Sequence, residues 1–337
     1  MSAGIPRVQE FKDLLSGRGE PEEAVCDALS HVSEYLGFLE SNGVSVDGSS
    51  VEDVKNYVKG LMRSGRNTLE RMRALCMYIN TLGYLDQYLY LAEMVGGAPV
   101  YQSYRGRTRE IAGEEAASKV FDSMNLPPIG TSAEGFPEYT RTMMERMSAE
   151  LDEEQRIKIL AGNHHKRPPK SFDDKKRLYE DSENLDDFLR RDHECVVALL
   201  EEHMRDGRLW YRKKVSPEFI DYIKADQERL SARREGDTLY IKQIPYEFEE
   251  YLSESDPTKR RYHFCHCHLA RRSIIEGEPV PSEFCHCSGG YLKQPYDYIF
   301  GEELEVKVLK SALGGDDECR FAVKLPSDWE KKINDSH

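Results

Sequence analysis

The tetrapeptide Phe-Cys-His-Cys occurs twice in this chain, at 264–267 and again at 284–287. The two copies hold Cys265, Cys267, Cys285 and Cys287, half of the eight cysteines, and the same stretch carries His263, His266, His268 and His286. Thiolates and imidazoles are the ligands that zinc and iron–sulfur clusters take, so one reading makes Cys265, Cys267, Cys285 and Cys287, with His263, a metal set. The metal is either zinc or the iron of an iron–sulfur cluster. The spacing is Cys-x-Cys rather than the Cys-x-x-Cys of a zinc knuckle, so the backbone must bend to bring the sulfurs together. A second reading makes Cys287 a nucleophile served by a histidine base. A third leaves the thiols inert or redox-exchanging. Cys26, Cys76 and Cys195 stand alone in helical patterns and read as small core residues.

A second candidate for chemistry is the run Gly162-Asn163-His164-His165 ahead of Pro168-Pro169. Loops present polar groups without burying them, and histidine titrates near neutral pH, so His164 or His165 could carry protons for a site built on the cysteines. The competing reading is an exposed surface pair.

These residues need elements to hold them. An extended Tyr262–Cys267 would place His263, Cys265 and Cys267 on one face and His266 on the other. A short helix from Leu269, closed by Gly277, would put Cys267 and His268 at its start. Cys287 and Ser288 likewise precede a helix running to Phe300. Helix N-termini favour thiolates, so ionised cysteines are expected there.

The rest of the chain divides at residue 206. Residues 1–206 read as mostly helical. Glu20-Pro21-Glu22-Glu23 opens a helix to Glu40, and Ser50 with Asp53 caps another. A long apolar stripe between Asn67 and Met94 ends at Gly96-Gly97. Helices follow over 139–147, 152–160 and 186–204. Residues 207–337 read as a mixed Cys-rich domain, with strands at 209–215, 238–242 and 261–267 and a hairpin over 304–325 turned at Gly314-Gly315-Asp316-Asp317. Ser216 caps a short helix from Pro217. The fold class is therefore α+β: a helical N-terminal part, then an antiparallel sheet with flanking helices.

Composition narrows the function. A formal net charge of −14 argues against a nucleic-acid binder, which needs a face rich in Lys and Arg. No stretch approaches the roughly 20 apolar residues of a membrane span. Met1-Ser-Ala-Gly-Ile-Pro-Arg lacks the apolar core of a signal peptide, which points to a cytoplasmic protein. In that compartment clustered cysteines read as metal-binding or catalytic rather than as disulfides. The expected partner is a small-molecule ligand, and the oligomeric state is not legible.

Cys285-His-Cys-Ser-Gly-Gly-Tyr-Leu, Phe300-Gly301, Val306–Leu313, Gly315-Asp316 and Cys319-Arg-Phe together resemble the C-terminal part of 4-vinyl reductase-type domains. They also resemble the related group of L-2-amino-thiazoline-4-carboxylic acid hydrolases. The resemblance covers Arg261 to Leu325. It implies a small-molecule-binding α+β fold and a hydrolase acting on a cyclic C–N bond. Read from the residues themselves, metal-bound water or Cys287 would be the nucleophile of such a reaction, with His164 or His165 moving protons. The alternative is a non-enzymatic ligand or redox sensor with a structural zinc or iron–sulfur site. The upstream His-Phe-Cys-His-Cys-His block is denser than the family pattern, and the 162–165 loop has no role in it.

Overall fold

The computed structural model describes residues 5–211 and 213–330, the side chain of Ala98 excepted. Two compact units emerge, and the chain is α+β. One unit comprises residues up to 102 with 126–136, and the other 103–125 with everything from 137 onward. The change of pattern at residue 206 falls inside the second unit, because the helices on both sides of it pack in one body.

The first unit is helical: α1 (Val8–Gly17), α2 (Glu22–Ser41), α3 (Val51–Arg63) and α4 (Leu69–Leu82). Ser50 and Asp53 form the reciprocal capping box that starts α3. α2 lies against α4, and Tyr35, Leu39, Leu75 and Ile79 are buried in the shared core. The expected stop at Gly96-Gly97 does not occur. Gly83, at φ 81°, ends α4, and α5 (Leu85–Phe121) then runs through both glycines. A Cβ on Gly97 would lie 2.2 Å from the Phe136 ring, so this glycine serves a close approach and not a turn. α5 breaks instead at Gly113, whose φ is 88°.

The second unit holds α6 (Phe136–Glu150) from its second residue, Pro137, onward, and α7 (Glu153–Leu160), α8 (Asp173–Glu180), α9 (Leu185–Asp206) and α10 (Pro217–Lys224). Asn184 caps α9 and Ser216 caps α10. The sheet contains β1 (Arg233–Glu235), β2 (Thr238–Lys242), β3 (Val306–Lys310) and β4 (Arg320–Lys324) in the order β1-β2-β4-β3, all antiparallel. The hairpin over 304–325 is present as β3 and β4. β1 is three polar residues turned by Gly236, too short for an alternation to show. The expected strand at 209–215 reduces to one bridge between Trp210 and Lys213, with Arg212 outside the described residues. Trp210 packs instead on Phe219, in an aromatic cluster with Phe248.

Three short helices, α11 (Phe248–Ser253), α12 (Pro257–Phe264) and α13 (Arg272–Glu276), lead to α14 (His286–Phe300). α14 packs across β3. There a Cβ on Gly289 would approach Val306 Cγ2 to 2.9 Å, so only glycine allows the helix this close to the sheet. Among the described residues, no helix is long and apolar enough to cross a membrane.

Candidate thiol–imidazole site

The second Cys-His-Cys unit is placed by α14. Pro281 opens a 3-10 turn over Ser282–Cys285, Cys285 precedes the helix, and Cys287 is its second residue. Arg156 donates to Glu283 at 2.7 and 3.1 Å and to the Leu151 carbonyl at 2.8 Å, joining this turn to α7.

The first unit of the repeat is not a strand. Asp256 accepts from the backbone N–H groups of Thr258 and Lys259, both at 2.9 Å, and Pro257 occupies the first turn, so α12 forms and extends to Phe264. Asp-Pro was the available signal for it. The chain becomes extended only at Cys265, and the Cys267 carbonyl accepts from the N–H groups of Ala270 and Arg271 to start the next turn. The single face of His263, Cys265 and Cys267 expected of a strand is therefore lost. His263 Nδ1 lies 2.6 Å from Glu247 Oε2, a carboxylate also ion-paired with Arg271 at 2.8 Å. Burial pushes the Glu247 carboxyl up, but Arg271 and His263 prevail and hold it below the usual range.

The four cysteines of the two units share one buried neighbourhood. Burial, then Cys265, Cys287 and Cys285, raise the Cys267 thiol well above its ordinary pKa. Burial followed by Cys265 brings Cys285 up to about 12. Cys319, named in the resemblance but not among the candidate site residues, belongs to the same group. It accepts from the Ala312 N–H at 3.3 Å, and Cys265 and Cys285 add to the burial that raises it. All of these thiols are free. Elsewhere Cys76 is buried as expected of a core residue, whereas Cys26 and Cys195 are exposed on α2 and α9.

The expectation of thiolates is reversed. Cys287 sits in the first turn of α14, yet burial pushes its thiol up to about 11, with a hydrogen bond from Tyr104 opposing. The end of a helix offers at most about 2 kcal/mol to an ion, and desolvation outweighs that when a side chain is fully enclosed. His266 and His268 are lowered to about 4, desolvation leading in both.

The loop after α7 delivers one of its two histidines to this neighbourhood. His164 is buried at 3% exposure, with Nε2 2.7 Å from the Ile159 carbonyl and Nδ1 3.1 Å from Ser103 Oγ. It closes the end of α7, and burial lowers its pKa to about 4. With both ring nitrogens engaged it has none to offer the cysteines. His165 Nε2 faces Cys287 Sγ across 4.0 Å. The residue is exposed as a whole, yet its ring is crowded enough that desolvation holds it below the usual imidazole pKa. His165 thus has one side toward solvent and the other toward a buried thiol.

This approach depends on Gly290. A Cβ there would lie 2.4 Å from the Ala161 carbonyl oxygen, so the end of α7 rests directly on the α14 backbone. Asn163 Oδ1 accepts from Gln294 Nε2 at 2.7 Å. Arg167 stacks 4.4 Å from the Phe172 ring and 4.4 Å from the Tyr291 ring. Tyr104, Arg167 and Gln294 did not emerge from the sequence, and Tyr291 did so only as part of the resemblance. Pro295 within a helical pattern was the one visible hint, since it frees the carbonyl of residue 291.

Among the described residues, no group of three or more His, Cys, Asp or Glu side chains is placed to hold a metal ion. His263 is committed to Glu247, and Cys319 and Cys285 to backbone and hydroxyl partners around Ser311 and Ala312.

Fold and site define an α+β protein with a buried thiol cluster reached by a solvent-facing imidazole. No family model, curated protein or solved structure shows significant similarity to the chain.

Proposed function

We propose that the second unit performs thiol chemistry on a small electrophilic molecule, with Cys287 as nucleophile and His165 as the group that takes its proton. The observation that carries this reading is the 4.0 Å approach of His165 Nε2 to Cys287 Sγ. A lowered imidazole pKa leaves His165 neutral near pH 7, the form able to accept a proton. The Cys287 thiol is neutral as well, so the pair is at rest. On reaction, sulfur bonds to the carbon of an amide- or amidine-type C–N bond as His165 takes the thiol proton. His165 then gives that proton to the departing nitrogen, and water cleaves the resulting S-acyl (from an amide) or S-imidoyl (from an amidine) intermediate to restore the thiol. The family resemblance supplies the substrate class, a cyclic C–N compound. His164 has no part in this scheme.

The test is ring opening of 2-amino-thiazoline-4-carboxylate, followed by mass spectrometry, in wild type, Cys287→Ser and His165→Gln. Loss of activity in both variants is expected, by about 100-fold or more for the histidine. Turnover that survives Cys287→Ser ends the proposal.

A second reading rests on a different observation, the crowding of Cys265, Cys267, Cys285, Cys287 and Cys319. In a redox sensor two of these thiols would give up two hydrogens to an organic hydroperoxide, yielding a disulfide, an alcohol and water. Intact mass and peptide mapping after hydroperoxide treatment decide it: a disulfide within the group supports the sensor, and sulfinic acid without a disulfide refutes it.

A further inference from the structure

We infer that residues 163–167 form a strap that holds His165 over Cys287, and that Arg167 is its positioning residue. This rests on the Cys287–His165 reading and adds how the pair is assembled.

The strap is tied at its two ends. At the first, Asn163 Oδ1 accepts from Gln294 Nε2 at 2.7 Å and from the Arg167 backbone N–H at 3.1 Å. At the second, the Arg167 guanidinium stacks on Phe172 and Tyr291, and its Nη1 donates to the Tyr291 carbonyl at 3.2 Å. That carbonyl is available for a covalent reason. In an uninterrupted helix it would accept from the N–H of residue 295, and residue 295 is proline. Pro295 thus creates an acceptor on α14, and Arg167 fills it. A planar guanidinium can stack on two rings and donate in its own plane at once, which an ammonium cannot.

Between the ties the segment bulges. His165 and Lys166 are exposed, and Lys166 adopts φ 48°, a left-handed conformation that costs a non-glycine residue energy. The same Tyr291 that stacks on Arg167 meets the His165 ring edge-to-face at 5.4 Å. One aromatic side chain therefore links the latch to the imidazole, and releasing Arg167 should free His165 from Cys287.

The experiment measures iodoacetamide alkylation of Cys287 against pH by peptide mass spectrometry, in full-length wild type, Arg167→Ala, Tyr291→Phe, Tyr291→Ala, Pro295→Ala and His165→Ala. Wild type should show a step near the His165 titration, absent from His165→Ala. Arg167→Ala and Tyr291→Ala should lose that step and alkylate at least tenfold faster at pH 8, because the cover is released. Tyr291→Phe keeps the stacking ring and should match wild type. Pro295→Ala restores the intrahelical N–H as a competitor for the carbonyl and should shift toward Arg167→Ala. A step and rate unchanged in Arg167→Ala, with circular dichroism matching wild type, overturn the strap. So does a Tyr291→Phe variant that behaves like Tyr291→Ala. If His165→Ala keeps the wild-type step, the Cys287–His165 reading fails. Faster alkylation in Arg167→Ala would in that case still support a strap that covers the thiol.

Discussion

Replacing Gly290 with alanine adds one methyl group and should disconnect the two halves of the site. The new Cβ would lie 2.4 Å from Ala161 O, 2.6 Å from its carbonyl carbon and 2.8 Å from its Cα, where ordinary contact begins at 3.4 Å. All three atoms are backbone at the end of α7, so no rotamer change relieves the clash. α14 and the 161–165 segment must part by about 1 Å, which belongs at the upper end of overpacking costs, about 3 kcal/mol. The alanine returns about 1 kcal/mol of helix propensity, leaving a net loss of about 2 kcal/mol. For a unit of this size that lowers the melting temperature by about 4–8 °C. Gly106 is the control, a helical glycine in the same unit with nothing within 4 Å of its would-be Cβ. Gly106→Ala should stabilise the unit by about 0.5–1 kcal/mol. Urea unfolding followed at 222 nm gives both values, and Cys287 alkylation in Gly290→Ala should lose its dependence on His165. Equal stabilities for the two variants would refute the claim that α7 rests on the α14 backbone.

Acid should weaken the second unit in a definite window. His164, His266 and His268 are each lowered to about 4 by burial, so the unfolded chain binds their protons first. Their contribution is complete above the unfolded pKa of about 6.5 and is lost as pH falls toward 4, by up to about 1.4 kcal/mol per histidine per pH unit. His164→Gln should flatten that slope in urea titrations between pH 6.5 and 4.5; an unaltered slope would remove His164 from the account. At pH 8, a thiol raised to about 11 presents about 200-fold less thiolate than an ordinary one, so Cys287 should alkylate far more slowly than exposed Cys26 and Cys195. Comparable rates would show that Cys287 is not enclosed. Lys293, at 1% exposure, lies 2.6 Å from Asp297, whose carboxyl burial raises. Lys293→Met should cost about 3–5 kcal/mol, and adding Asp297→Asn should recover part of it. A double variant no more stable than Lys293→Met would mean that the stranded carboxylate is not the source of the loss.

Local signals in the sequence carried the helical framework, the β3–β4 hairpin and the α+β class. Ser50 with Asp53, Ser216 with Pro217 and the alternation from Val306 act within a few residues of themselves. Their effect is therefore independent of what packs above them. The doubled Phe-Cys-His-Cys also picked out cysteines that gather in one neighbourhood. Short-range reasoning failed where two explanations shared one residue type. Gly97 reads as a helix stop but serves a close approach to Phe136, and 261–267 reads as a strand although Asp256-Pro257 starts a helix. The charge states were beyond the sequence altogether. A thiol at a helix start is expected to ionise, and only the tertiary enclosure of Cys287 decides that it does not. Likewise, nothing in Asn163-His164-His165 says which imidazole faces inward. His164 goes to the end of its own helix and His165 to Cys287, because Gly290 lets the backbone of α14 touch Ala161 and Pro295 leaves a carbonyl for Arg167. The His165–Cys287, Gly290–Ala161 and Arg167–Tyr291 contacts join residues more than 120 positions apart, and folding alone brings them together.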